Sequence, residues 1–284
     1  RFIIDGYGGI SSPIITQLTT SFKFVSKEAL QCRPMPWRVT FIGESAIDAG
    51  GPSRELLTEA VQSIFEPSTH LVIPTPNNRN KIGQYQDTYI PFERAKSRDD
   101  EYKTVGIILG IIMRTGYTQD FPFAPIVWRY LSHSEIRMVD VLDLDKALGD
   151  HFEELRENNE GGVWTVPNWD GTIELLPNHT HDQMFRPNEL DQYIQESLTY
   201  RINTLKQFLH PILLGFEENT NITSHALLNS SILSYLVQGS GIITTQTLES
   251  NCVVKNYNGL NDPFIRRFFR VVDQMDPEQR KLLL

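Results

Sequence analysis

The sequence predicts an α+β protein that is mainly α-helical, in which a larger helical region is interrupted by a smaller helix-and-hairpin unit. Three observations carry this reading. Apolar residues recur at helical spacing over long stretches, the longest being Leu190, Ile194, Leu198, Ile202, Leu205, Leu209 and Ile212. Strand-like runs are short: Trp37, Val39 and Phe41 alternate with polar residues, and Val163–Val166 and Thr172–Leu176 flank Asp170-Gly171, a strong hairpin signal. Composition is that of an ordinary globular chain, 40% hydrophobic and 21% charged over 284 residues. The expected division is 1–149 for the first part of the larger region, 150–212 for the insert and 213–284 for the return.

Residues 1–10, with Gly6, Gly8 and Gly9, read as irregular; Ser12 then caps and Pro13 opens a helix bearing Ile14, Ile15, Leu18, Phe22 and Val25. The strand at Trp37 turns through Gly50-Gly51-Pro52 into a helix whose apolar face is Leu56, Leu57, Ala60, Val61, Ile64 and Phe65. Two glycines before a helix could cradle a phosphate. No Lys-Ser/Thr pair follows, however, and Glu44 and Asp48 would repel an anion, so a tight turn is the better reading. A loop rich in Pro, Asn and charge spans residues 67–100. Tyr102, Val105, Ile108, Leu109, Ile112 and Met113 form a core helix ended by Gly116, with Gly106 and Gly110 spaced for close helix packing. A short helix with Ile126, Val127, Trp128 and Leu131 follows.

From Asp143 the character changes: Leu144, Leu148, Phe152 and Leu155 make one narrow stripe on an otherwise polar, acidic helix. The hairpin comes next, then the longest helix, capped by Asn188 and kinked or broken near 207–211 by Pro211. These features predict that residues 150–212 open separately from the rest. Helices at Ile232–Val237 and Phe264–Val272 follow, the second opened by Asp262-Pro263, and Asp276–Gln279 is a capping-box start.

Several function classes are excluded. A net charge of −9 and pI near 5.3 argue against nucleic acid or an anionic membrane as partner. The most apolar run, Val105–Met113, is too short to span a bilayer. Two distant cysteines, Cys32 and Cys252, suit a reducing, cytoplasmic setting better than a disulfide framework, and both read as unreactive thiols among apolar neighbours. His179 and His181 lack a third ligand nearby, so no metal site is predicted. No cofactor motif occurs. Triplets at Asn178, Asn221 and Asn229 fit the glycosylation pattern but also arise by chance.

The gapless run Phe41–Leu56, FIGESAIDAGGPSREL, resembles the signature of the N-terminal lobe of HECT-type ubiquitin ligases. Trp128-Arg129-Tyr130-Leu131 and Gly215-Phe216 also fit that lobe, while Thr75–Arg79 and His179-Thr180-His181 are similar to the large HERC-type subgroup. The resemblance covers residues ~35–284. It implies a HECT N-lobe fold and a transferase that takes ubiquitin as a thioester from a conjugating enzyme and passes it to a substrate lysine. The lobe holding the family's catalytic cysteine is not matched, and Leu282-Leu283-Leu284 reads as a cut end, so no catalytic residue is expected here and the fragment alone should be inactive.

The partners implied are a ubiquitin-conjugating enzyme carrying ubiquitin, ubiquitin itself, and protein substrates held by regions outside this chain. Mapped onto this sequence, the family's groove for the conjugating enzyme takes Leu148, Phe152, Leu155, Trp164, Leu205, Phe208, Leu209 and Ile212. Helical stripes of this kind also fill cores, so each residue has two readings, wall or interior. Glu153, Glu154 and Glu157 ring the site, and the spacer Asn158–Gly162 before Trp164 reads as loose. A non-catalytic adaptor that keeps the lobe as an interaction module fits the same residues, and a downstream Thr-Cys lobe distinguishes the two.

Overall fold

The computed structural model describes residues 2–4, 12–32, 35–42, 48–92, 98–220, 228–239, 244–255, 257, 259–276 and 279–280. Phe2–Ile4 forms a strand, β1, where the glycine-rich start predicts irregular chain. It runs parallel to β2 (Val39–Phe41), with Ile4 opposite Phe41, and a partner reached across a crossover leaves no local mark in the sequence. Between the two lie α1 (Ile14–Phe22) and α2 (Lys27–Leu30). Ser12 does not cap α1; Pro13 holds the cap position without a side-chain bond.

Trp37, Val39 and Phe41 are buried together, as their alternation predicts. Gly50 turns the chain with φ of 108°, a conformation glycine alone adopts without strain, and α3 (Gly51–Phe65) begins with Pro52 in its first turn. Asp48 holds this corner. Its carboxylate accepts from the backbone N–H of Val39 (2.7 Å) and Gly50 (2.9 Å) and from Ser53 Oγ. Burial pushes its pKa up, but the bonds from the Ser53 hydroxyl and the backbone outweigh this and hold it below the usual carboxylate range.

Of the loop expected over 67–100, residues 93–97 lie outside the described residues, and 67–92 are not a plain loop. A 3-10 turn (Pro67–Thr69), β3 (Val72–Pro74), α4 (Pro76–Asn80) and β4 (Tyr89–Pro91) occupy it, with β3 and β4 antiparallel. Its polar residues are structural. Thr75 caps α4, and buried Asn77 donates to the carbonyls of Gln84 and Asp143 (both 2.9 Å) and accepts from Lys146 N (2.8 Å). Side-chain amides here do what a ladder does elsewhere, which a composition rule reads as loop.

Then come α5 (Asp99–Thr115), ended by Gly116 at φ of 73°, α6 (Pro125–Leu131), α7 (Met138–Leu142) and α8 (Lys146–Asn158). Four short strands follow: β5 (Gly162–Val163), β6 (Thr165–Pro167), β7 (Ile173–Leu175) and β8 (Met184–Phe185). The predicted hairpin is β6–β7, and β5 pairs with β8. A 3-10 turn at Pro187–Glu189 leads into α9 (Leu190–Thr220). Asn188 lies inside that turn rather than capping the helix; Glu189 accepts from Arg186 N instead (2.7 Å).

α9 runs unbroken for 31 residues through Pro211, so the expected break does not occur. The carbonyl that loses its donor belongs to Gln207, an exposed residue that water can serve, and buried Pro211 carries no N–H to satisfy. Around Pro211, α9 packs closely on α5. A Cβ on Gly106 would overlap the Ile212 carbonyl, one on Gly215 would overlap the Lys103 carbonyl, and one on Gly110 would press on Asn219 Oδ1 at 2.8 Å. The two backbones therefore touch. Tyr102–Phe208 and Arg114–Asn219 contacts flank the seam.

The chain forms two compact units, Arg1–Val237 and Gln238–Leu284. The first contains everything above and most of α10 (Ser230–Gln238), whose Leu233 and Val237 are buried. The second holds α11 (Thr245–Asn251) and α12 (Pro263–Gln274), linked by Thr245 Oγ1 donating to Asp273 (2.9 Å). Asp262 caps α12 as predicted, and Asp276 and Gln279 exchange the expected capping bonds.

Glycine substitutions separate the seam from the turn. Gly106→Ala should lower unfolding free energy by about 1–3 kcal/mol, the cost of overpacking a closed interface. Gly51→Ala, with nothing within 4 Å of its added methyl, should be neutral or raise stability by up to about 1 kcal/mol. Urea denaturation of both variants checks this, and equal effects would mean the seam is loose.

Candidate functional site

The site begins at Asp145. Its side chain caps α8 by accepting from Leu148 N (3.1 Å), and its other oxygen accepts from Arg201 Nη1 (3.1 Å) on α9. Arg201 is fully buried. It stacks over Trp169 at 4.0 Å and donates to the Pro167 carbonyl (2.6 Å), while Trp169 Nε1 donates back to the Arg201 carbonyl (2.9 Å). Burial pushes the guanidinium pKa down, opposed by Asp145, yet an arginine keeps its charge in a protein. Arg79 of α4 reaches the Trp169 carbonyl (3.2 Å). One charged pair thus joins the start of α8, the β6–β7 turn, α9 and the Thr75–Arg79 segment.

Sequence reasoning missed this pair. Asp145 just before a helix is a capping signal, and Arg201 falls on the buried stripe between Leu198 and Leu205, so both were findable.

Above the pair sits an aromatic cluster. Tyr193 stacks on Phe185 (4.2 Å between centroids) and receives Phe152 edge-on (5.8 Å), with Trp164 meeting both Phe185 and Tyr193. Burial raises the Tyr193 phenol, opposed by Ser197, and the hydroxyl donates to the Thr165 carbonyl (2.8 Å). His179 lies flat on Trp164 at 3.9 Å and pairs with Glu196 (2.8 Å), which also accepts from Gln192 (2.9 Å). Burial would raise Glu196, but those two partners, Gln192 then His179, bring it below its usual range. The spacer before Trp164 is not loose: a Cβ on Gly161 would overlap the Phe185 carbonyl, so the chain crosses β8 closely there.

Of the eight residues predicted for one groove, Leu148, Phe152, Leu155, Trp164, Leu205, Leu209 and Ile212 are buried, and Phe208 is half-buried. The ring contacts separate the aromatic ones among them. Phe152 and Trp164 gather round Tyr193, whereas Phe208 packs on Phe92 (5.2 Å) and Tyr102 (5.8 Å), and Ile212 lies against Gly106. Tyr193 and Phe208 stand about 22 Å apart along α9. Exposed apolar groups of the insert are Val163 and Met184, a cross-strand pair of β5 and β8, 38% and 66% exposed, and Ile173 of β7, 66% exposed.

Both cysteines are exposed, where burial among apolar neighbours was expected, and among the described residues each thiol donates to a local backbone carbonyl. No group of three or more His, Cys, Asp or Glu able to hold a metal occurs among the described residues. Among them, too, no helix is long and apolar enough to cross a membrane.

The sequence profile of the HECT-domain (ubiquitin-transferase) family matches residues 58–284, starting just after the Phe41–Leu56 run. Over 98% of its length the chain is 25% identical to the human (Homo sapiens) E3 ubiquitin-protein ligase HERC2, of which it spans 6%. It is 24% identical over 91% of its length to the E3 ubiquitin-protein ligase ptr1 of Schizosaccharomyces pombe, and 22% identical over 87% to the E3 ubiquitin-protein ligase TOM1 of Saccharomyces cerevisiae. It spans 8% of each of those two.

The Asp145–Arg201 pair is testable. Asp145→Ala leaves a buried cation and an uncapped helix and should cost about 3–5 kcal/mol, whereas replacing both with Asp145→Leu and Arg201→Met should cost far less. Chemical denaturation of the single and double variants measures the difference, and equal losses would refute the pairing argument.

Proposed function

The chain belongs to the HECT-domain (ubiquitin-transferase) family, and from that premise we propose that residues 150–212 dock a ubiquitin-charged conjugating enzyme. Ubiquitin would then pass to a cysteine outside these residues and on to a substrate lysine. The observation that carries the reading is the Val163–Met184 pair. Two large apolar side chains stand in solvent while their immediate neighbours Trp164 and Phe185 point inward to the cluster. Isolated exposed apolar groups are common, but a cross-strand pair on a rigid aromatic base has the make-up of a docking hot spot.

The predicted groove residues take different parts in this reading. Leu148, Phe152, Leu155 and Trp164 brace the docking face from beneath, whereas Leu205, Phe208, Leu209 and Ile212 belong to the α5–α9 core. The acidic surface of α8 supplies orientation. Arg156 pairs with Glu153 and Asp191, which leaves Glu154 and Glu157 as exposed carboxylates facing a basic partner. Association should therefore weaken as salt is raised. An acceptor thiol needs a base or a positive neighbour to lower its pKa. Neither Cys32 nor Cys252 has a charged side chain bonded to it among the described residues, so we assign no catalytic residue within this chain.

Val163→Asp and Met184→Asp change only exposed positions. Each should weaken binding by about 1–3 kcal/mol and leave the melting temperature unchanged. Phe208→Ala should instead melt early and bind as wild type once folded. A calorimetric titration against a panel of conjugating enzymes decides. Binding that survives both aspartates, or no binding to wild type by any enzyme, overturns the assignment.

A further inference from the structure

A cleft of about 760 Å³ runs along the outer face of α9 and ends at Asn178 and His179. Gln192, Gln195, Thr199, Asn203, Thr204 and Gln207 line it. A solvated helix face normally carries alternating charge. This one is nearly neutral: its one carboxylate, Glu196, already accepts from Gln192 and pairs with His179. The stripe is therefore a run of amides and hydroxyls, groups that both donate and accept.

We propose that this cleft binds an extended, uncharged polypeptide segment through the segment's main chain. Each residue of an extended chain offers one N–H and one C=O, and side-chain amides satisfy both without reading sequence or charge. The dimensions agree. Gln192 to Gln207 covers about 22 Å of helix, the span of roughly six or seven extended residues. An anionic ligand would find no Lys or Arg among the lining residues, and the one carboxylate, Glu196, already bonds Gln192 and His179. An oligosaccharide would need an open aromatic face, but His179 covers that of Trp164 at 3.9 Å and Tyr200 is half-buried. Because His179 belongs both to the cleft and to the aromatic cluster, a bound segment lies next to the docking face. The inference does not depend on that face being used.

The test is a nuclear magnetic resonance titration of the 284-residue chain. The probes are a heptapeptide of Gly, Ser, Thr and Asn with blocked ends and, separately, a linear glucose hexamer. The peptide should shift the side-chain amide signals of Gln195, Asn203 and Gln207 saturably, with little dependence on salt. The double variant Gln195→Ala, Asn203→Ala alters exposed positions only. It should lose at least about fivefold in peptide affinity, the factor expected for one neutral hydrogen bond, with an unchanged melting temperature. Its affinity for a conjugating enzyme should match wild type. Absence of peptide-induced shifts, shifts with the sugar alone, unchanged peptide binding by the variant, or a parallel loss of conjugating-enzyme binding would each overturn the proposal.

Discussion

Everything in the first unit depends on backbone meeting backbone between α5 and α9. Gly106 and Gly215 bring backbone against backbone, at the Ile212 and Lys103 carbonyls, and Gly110 leaves room for the Asn219 side chain. Contact at that range maximises dispersion and leaves little room to slide. It also explains how a 31-residue helix carries a proline without breaking. The C-terminal half of α9 packs along α5, and its first turns carry Tyr193 into the aromatic cluster.

The first half of α9 needs a second attachment, and the Asp145–Arg201 pair supplies it. A buried ion pair is a poor source of net stability, because desolvation offsets most of the attraction. Its effect is on geometry. Arg201 stacked on Trp169 and bonded to Asp145 and Pro167 fixes the hairpin turn against α9 and the start of α8. Asn77 and Arg79 extend the same polar network back to α4. The result is a helix-and-hairpin insert braced on two sides, with its exposed apolar pair on the β5–β8 ribbon.

Much of this was legible in the sequence, and the failures share a cause. Periodicity found the longer helices, the Trp37–Phe41 face and the hairpin, because each is a local pattern, but not the short helices α2, α4, α7 and α11. The pair Gly106 and Gly110 was read as a packing device, and it is one. What escaped was non-local: β1 finds its partner across a crossover, and residues 67–92 are held by Asn77 and Asn78, whose bonds reach residues as distant as Asp143. Pro211 sits inside an unbroken α9, one residue before Ile212 meets Gly106 of α5, a neighbour that the local sequence does not show. The candidate site suffered likewise. A stripe of leucines and phenylalanines marks burial but not its neighbours: Phe152 and Trp164 meet Tyr193, whereas Phe208 meets Phe92 and Tyr102.

The central claim is that the Trp164–Tyr193 end of the insert, and not the 205–212 segment, meets the conjugating enzyme. Hydrogen–deuterium exchange of the chain with and without a bound conjugating enzyme tests it directly. The account predicts new protection in α8, the β5–β8 ribbon and the first turns of α9, with residues 205–212 unchanged. Protection confined to 205–212, with the ribbon unaffected, would contradict it.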